Sequence, residues 1–256
     1  MLRNQTLDLL HELRLTGMAA ALDEQQTMAG VDELSCEDRL ALLLEREKTE
    51  RENRRLTRLL QQAKLRLPAS VEDIDFRAPR GLDRSVVLRL ASGDWIRRHQ
   101  SLLIIGPTGS GKSYLACAFG HSACRQGLST RYFRLSRLLS ELTLARGDGS
   151  YPKLLQKLAK TELIVIDDWG LAPLGELERR DFLEILDDRY GRRATLVTSQ
   201  LPIDHWHDVA GDPTFGDAIL DRLVHNAHKI TLKGGSLRRL YSTTTDSESR
   251  AAADQE

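Results

Sequence analysis

Three cysteines in 256 residues, Cys36, Cys117 and Cys124, are too few and too far apart for a disulfide framework, and none forms a CxxC pair suited to zinc. A reduced, cytoplasmic setting follows as the expectation. No run of eighteen apolar residues occurs, and the N-terminal "MLRNQTLDLLHELRL" is broken by Asp8, Glu12 and Arg14, so neither a membrane-spanning helix nor a secretion signal is expected. Charge of one sign is lacking as well. Lys plus Arg and Asp plus Glu both number 37, so any affinity for nucleic acid must come from local clustering. With 41% hydrophobic and 29% charged residues, the chain has the composition of a soluble globular protein.

Three zones separate along the chain. Up to Pro68 glycine is scarce and leucines recur at three and four (Leu40, Leu43, Leu44; Leu56, Leu59, Leu60), which predicts a helical N-terminal domain over residues 1–68. It breaks near "MAGVDELSCED", where Ser35 to Asp38 reads as a capping box. Residues 69–100 read as a connector and the start of the next module, with Pro79 and Gly81 as breakers. From 101 to 245 short apolar runs alternate with helical stretches, the pattern of an α/β fold with a parallel sheet. Strands are predicted at "SLLIIG", "TRYFRL", "LIVIDD", "ATLVTS" and "HKITLK". The polar stretch 246–256 reads as a disordered tail.

The first strand runs into "GPTGSGKS", Gly106, Pro107, Thr108, Gly109, Ser110, Gly111, Lys112 and Ser113, with Tyr114 next. The motif G-x-x-x-x-G-K-[ST] is a P-loop: its glycines let backbone N–H groups close on phosphate, Lys112 reaches the β and γ phosphates, and Ser113 ligates magnesium. Average composition makes a chance match about one in a hundred in a chain this long. ATP and Mg2+ are therefore the expected cofactors. In "LIVIDDWG" two aspartates end a strand fit for burial on both faces, where unpartnered carboxylates would be very costly. A P-loop protein needs such a carboxylate for its metal. Asp167 is assigned to Mg2+ and Asp168 to the attacking water, an N-terminal helix cap or a loop carboxylate being the plain alternative for Asp168. At the end of "ATLVTSQLP", Gln200 is the first choice for a polar group near the γ-phosphate and Ser199 the second. "AILDRLVHNAHKI" reads as an amphipathic helix that buries Ala218, Ile219, Leu223 and Val224 while Arg222 points elsewhere. "GGSLRR" adds Arg238 and Arg239. "HWH" at 205–207 reads as a packed Trp206 with polar flanks, not a metal site.

Between Arg46 and Arg66 eight basic residues stand against three glutamates, and Arg51, Arg54, Arg55 and Arg58 fall on one helical stripe opposite Leu56, Leu59 and Leu60. Such a stripe neutralises phosphates without reading bases. A solvated surface face would have the same pattern. No aromatic interleaves it, which favours duplex over single strands.

Together, "GPTGSGKS", "LIVIDDWG", "ATLVTSQLP", "DAILDRLVHNAHKI" and "GGSLRR", with "LHELRLTGMAAALDEQ", "RENRRLTRLLQQAKLR" and "EDIDFRAPRGLDR" before them, resemble the IstB family of AAA+ helper ATPases of insertion sequences, relatives of the DnaC helicase loaders. "LRLTGMAAALDEQ", "TSQLPIDHWHD" and "DRLVHNAHKI" are the more specific part of the likeness. The resemblance implies a P-loop AAA+ domain behind a small all-helical N-terminal domain, with Asp167 and Asp168 as the Walker B pair and Gln200 at a sensor position. It implies Arg222 as an arginine finger acting across subunits and Arg238 as a second sensor. "GGSLRR" departs from the family's "GESMR" form at its second and fourth residues but retains the arginines. The implied activity is ATP-dependent, homo-oligomeric assembly on duplex DNA in aid of a transposase, without DNA cleavage and without a membrane partner. A DnaC-like helicase loader is the alternative. A P-loop enzyme acting on a small molecule is a third, and no substrate-directed motif supports it.

Overall fold

The computed structural model describes residues 2–235. The leucine periodicity of the first zone is realised as α1 (Leu2–Glu12), α2 (Thr16–Glu24) and the 28-residue α3 (Cys36–Ala63). Asp38 donates its N–H to Ser35 Oγ at 3.1 Å and accepts that hydroxyl at 2.6 Å, which satisfies the start of α3. Two compact units divide between Leu59 and Leu60, inside α3.

In the first unit α2 depends on a close approach to α3. The buried Glu47 accepts the N–H groups of Gly17 (2.7 Å) and Met18 (3.2 Å), the first turn of α2, and pairs with Arg51 at 2.7 Å. Burial pushes the Glu47 carboxyl up, but the bonds from Arg51, Met18 and Gly17 outweigh it and leave it below its ordinary value. Its contribution to stability is therefore full above the ordinary carboxyl pKa of about 4.3 and is lost as pH falls through the lower folded value. A Cβ on Gly17 would lie 2.7 Å from Glu47 Cα and 2.9 Å from the Arg46 carbonyl oxygen, backbone that cannot step aside. Gly17→Ala is expected to destabilise this unit by about 1–3 kcal/mol, read as an earlier loss of helical circular dichroism in urea.

The second unit begins with a stretch that has no helix or strand from Lys64 to Asp83, yet Ala69, Val71 and Ile74 are buried in its core. The helices α4 (Arg84–Ala91) and α5 (Asp94–Arg97) lead into β1 (Ser101–Ile105), α6 (Lys112–Arg125) and β2 (Thr130–Arg134). Then come α7 (Leu135–Gly147), α8 (Tyr151–Lys160), β3 (Leu163–Trp169), α9 (Glu176–Arg189) and β4 (Ala194–Ser199). The described residues close with α10 (Trp206–Ala210), α11 (Pro213–Val224) and β5 (Ala227–Thr231). The five strands form one sheet in the order β2-β3-β4-β1-β5, every neighbouring pair parallel.

Alternation fills both faces. Leu102, Ile104, Val165 and Leu196 pack with Leu115 and Phe119 of α6, while Leu103, Ile105, Ile164, Ile166 and Val197 pack with Phe182, Trp206 and Leu223. All five expected strands are present, with two corrections. First, β3 does not end at its aspartates. It continues to Trp169, with one extra residue relative to β4 between Ile166 and Trp169. The buried Trp169 ring stacks on Phe182 at 5.0 Å and lies 5.6 Å from Trp206, which draws the chain back into the sheet and leaves the aspartates on a bulge. Second, the amphipathic helix around Arg222 stops at Val224, and "AHKI" belongs to β5. Ile219 and Leu223 are buried as the pattern requires, with Ala218 and Val224 half-buried. Trp206 is buried and donates its indole N–H to the Leu201 carbonyl at 3.0 Å.

Candidate functional site

Parallel strands bring their C-terminal ends to one edge of the sheet, and the chemistry collects there. From β1 the chain turns at Gly106, where a Cβ would sit 2.7 Å from the Leu232 carbonyl oxygen. Gly109 and Gly111 hold left-handed φ values of +81° and +95°, open to glycine at no steric penalty. The loop closes on the N-terminus of α6. Ser110 Oγ donates to the Pro107 carbonyl at 2.8 Å, and the buried Lys112 ammonium donates to the carbonyls of Gly106 (2.7 Å) and Pro107 (2.8 Å). Beside it lies a cavity of about 580 Å³. Thr108, Gly109, Gly111, Lys112, Ser113 and Tyr114 line one wall; Gly106, Pro107 and Ser110 build the loop behind it.

Asp167 is fully buried and well supplied with donors. Its carboxylate accepts the hydroxyls of Ser113 (2.9 and 3.0 Å), Tyr132 (2.5 Å) and Thr198 (2.5 Å). These donors offset the burial of the charge. Asp168, at φ +67° on the bulge, turns its carboxylate the other way, into the cavity and onto Arg134, which donates from Nε (3.0 Å) and Nη2 (2.9 Å). The two carboxylates thus divide, one inside the protein and one at the cavity wall. Since β4 lies between β3 and β1, the residue after it falls between aspartate and P-loop. That residue, Gln200, lines the cavity and accepts the Thr108 hydroxyl at 2.5 Å. The Ser199 hydroxyl is buried and tied to the Trp169 carbonyl at 2.9 Å, holding the strand ends together.

Several lining residues were not singled out from the sequence: Arg66, Asp73, Asp75, Arg80, Arg134 and Leu171. Arg134 left a faint signal, as the last residue of a strand that pairs with the aspartate strand, and it stands in register with Asp167. Arg80 is nearly buried and donates to the carbonyls of Asp75 (2.8 Å) and Ser110 (3.4 Å), so the irregular stretch before α4 reaches the P-loop. No local pattern announces such an approach.

One predicted arginine stands elsewhere. Arg222 lines a separate cavity of about 140 Å³ with Ser101, Thr195 and Asn226, at the N-terminal ends of the strands. It donates from Nε to Asp187 at 2.6 Å and lies 3.5 Å from Asp221. Arg238 and the tail from 246 lie outside the described residues.

The first unit carries a second candidate site. Arg51, Arg54, Arg55 and Arg58 are all exposed on α3, whereas Leu59 is buried and Leu56 and Leu60 are half-buried. They line an open depression of about 450 Å³ together with Arg14, which the stripe argument missed because Arg14 comes from the turn after α1. Glu47 engages Arg51 and, at 3.5 Å, Arg54, so part of the stripe's charge is offset.

A P-loop on β1, an aspartate-bearing β3 and an intervening β4 define a nucleotide-binding ATPase fold of the AAA+ type. The solved DnaC helicase loader has this fold, with a TM-score of 0.56 at 19% identity over 67% of this chain and 100% of that one. The IstB-like ATP binding protein family matches residues 8–245, and the chain belongs to that family. It is 54% identical over 239 residues to y4pL of Sinorhizobium fredii, whose name describes an insertion sequence ATP-binding protein; the match covers 93% of this chain and 98% of that one. A similarly named protein of insertion sequence IS1162 in Pseudomonas fluorescens is 53% identical over 203 residues, 79% of this chain and 88% of that protein. Among the described residues no helix is long and apolar enough to cross a membrane.

The residues present fit ATP and Mg2+. Hydroxyl and carboxylate oxygens converge at Ser113 and Asp167, the hard donors magnesium favours. No three His, Cys, Asp or Glu side chains converge among the described residues, so the remaining ligands would come from phosphate and water.

Proposed function

We propose that the protein is a Mg2+-dependent ATPase that assembles as a homo-oligomer on duplex DNA and assists the transposase of an insertion sequence. The observation that carries this reading is one chain holding both the cavity between Lys112 and Asp168 and an exposed five-arginine depression on a separate helical unit. The insertion-sequence names of its relatives supply the biological setting. Bound ATP and magnesium contribute the reactive phosphorus and neutralise charge on the β and γ oxygens. The chain does the rest. Lys112 supplies a cation to the phosphates, Ser113 and Asp167 hold the metal, Asp168 takes a proton from the attacking water, and Gln200 orients the γ-phosphate end. Arg222, remote from its own chain's cavity, serves a neighbouring subunit's nucleotide, where an arginine supplied in trans would stabilise the charge that builds up as water attacks the γ-phosphate. Arg51, Arg54, Arg55 and Arg58, with Arg14, hold DNA by its phosphates.

Sedimentation in ATP plus Mg2+ and in ADP, each with and without duplex DNA, tests the reading. A large species that needs both ATP and duplex is the expected result. Assembly indifferent to duplex would shift the reading to a helicase loader whose N-terminal helices dock a protein. Arg222→Ala is expected to leave nucleotide affinity unchanged while lowering turnover of the assembled protein by about 1,000-fold.

A further inference from the structure

Immediately after α3 the chain turns at Lys64, φ +50°, and runs through Leu65, Arg66 and Leu67. Both leucines are half-buried against the hydrophobic core, and Leu65 Cδ2 sits 2.9 Å from where a Cβ on Gly120 would lie, so this short stretch is pinned against α6. Arg66 between them is thereby aimed at one place. Its Nη1 lies 3.6 Å from Asp167 Oδ2, and its guanidinium also bonds the Tyr132 hydroxyl, which in turn donates to the same carboxylate oxygen at 2.5 Å. The Arg66 side chain is 37% exposed, and the surface it keeps lines the cavity beside Lys112 and Ser113.

Nothing in the nucleotide chemistry described above uses this cation. Lys112 serves the phosphates, Arg134 engages Asp168, and Arg222 is remote. Yet Arg66 faces the very carboxylate assigned to magnesium, and a carboxylate offers only about four lone-pair sites, of which Ser113, Tyr132 and Thr198 already engage three or more.

We propose that Arg66 is a positioning residue of the metal site: with Tyr132 it holds Asp167 and acts as a built-in counter-charge that Mg2+ must outcompete, setting the magnesium concentration at which ATP binds. The proposal rests on the reading of the cavity as an ATP–Mg2+ site.

The test reads binding of a fluorescent ATP analogue as Mg2+ is titrated, using the full chain and its Arg66→Gln and Arg66→Lys variants. Arg66→Gln removes the charge and leaves a shorter polar side chain; its half-saturating Mg2+ is expected to fall roughly three- to tenfold, within the effect of one nearby charge on a carboxylate. Arg66→Lys should stay near the wild type, and binding in excess EDTA should be the same in all three. An unchanged Mg2+ midpoint in Arg66→Gln overturns the proposal, as does weaker binding in EDTA, which would make Arg66 a direct phosphate ligand. The same fall in Arg66→Lys as in Arg66→Gln would mark packing, not charge, and overturn it too. If Mg2+ does not strengthen wild-type binding of the analogue over that in EDTA, the ATP–Mg2+ reading fails and takes this one with it.

Discussion

Lys112→Ala is expected to weaken ATP binding by about 100-fold or more, since a hydrogen bond to a charged group contributes about 1.5–3 kcal/mol and this ammonium serves two phosphates. The side chain is buried against the loop it belongs to, bonded to the Gly106 and Pro107 carbonyls, so no neighbouring cation can take its place without rebuilding the turn. Asp168→Asn provides the contrast. That carboxylate sits on the cavity wall and its Arg134 partner is half-exposed, so loss of the charge leaves no buried ion behind. Analogue affinity is expected to stay within about threefold while turnover falls about 100-fold, the effect of removing a general base. Equal loss of binding in both variants would contradict the roles assigned to them. Fluorescent-analogue titration and phosphate release separate the two quantities.

Reversing Arg54, Arg55 and Arg58 to Glu is expected to lower duplex affinity by at least about 100-fold near 0.1 M salt and to flatten the dependence of log K on log salt by about 2.7, three phosphate contacts' worth. All three side chains are exposed on α3 and face the Arg14 side of the depression. Arg51 is left alone because its bond to Glu47 also ties α2 to α3, and its loss would confuse folding with binding. Fluorescence anisotropy on two duplexes of unrelated sequence should show equal losses, because phosphate contacts carry no base information. Duplex binding that survives at low and moderate salt would remove α3 as the DNA surface.

Much of the cavity was legible because its parts are local in sequence. Eight consecutive residues carry the P-loop, and the strand before and helix after it follow from the apolar pattern. Asp167 and Asp168 were found by an energetic objection to burying two carboxylates, and were given separate roles, but the opposite direction of their side chains was not legible. It depends on the bulge that Trp169 creates by packing between Phe182 and Trp206, residues 13 and 37 positions further along the chain. Gln200 could be preferred over Ser199 only as a guess. In the fold the choice turns on which side chain the Trp169 carbonyl claims.

Residue pattern by itself determined the strands, the phosphate-loop motif, the paired aspartates and the basic stripe, since each is written within one short stretch of chain. Tertiary structure alone decided that Arg14 joins the stripe, that Arg222 lies away from its own chain's cavity, and that Arg66, Arg80 and Arg134 enter it. Periodicity states which face of an element is apolar. Which charged side chains share a cavity depends on distances across elements tens of residues apart, such as Arg66 with Asp167, and those are set by how the sheet's strands are ordered and what packs against their ends.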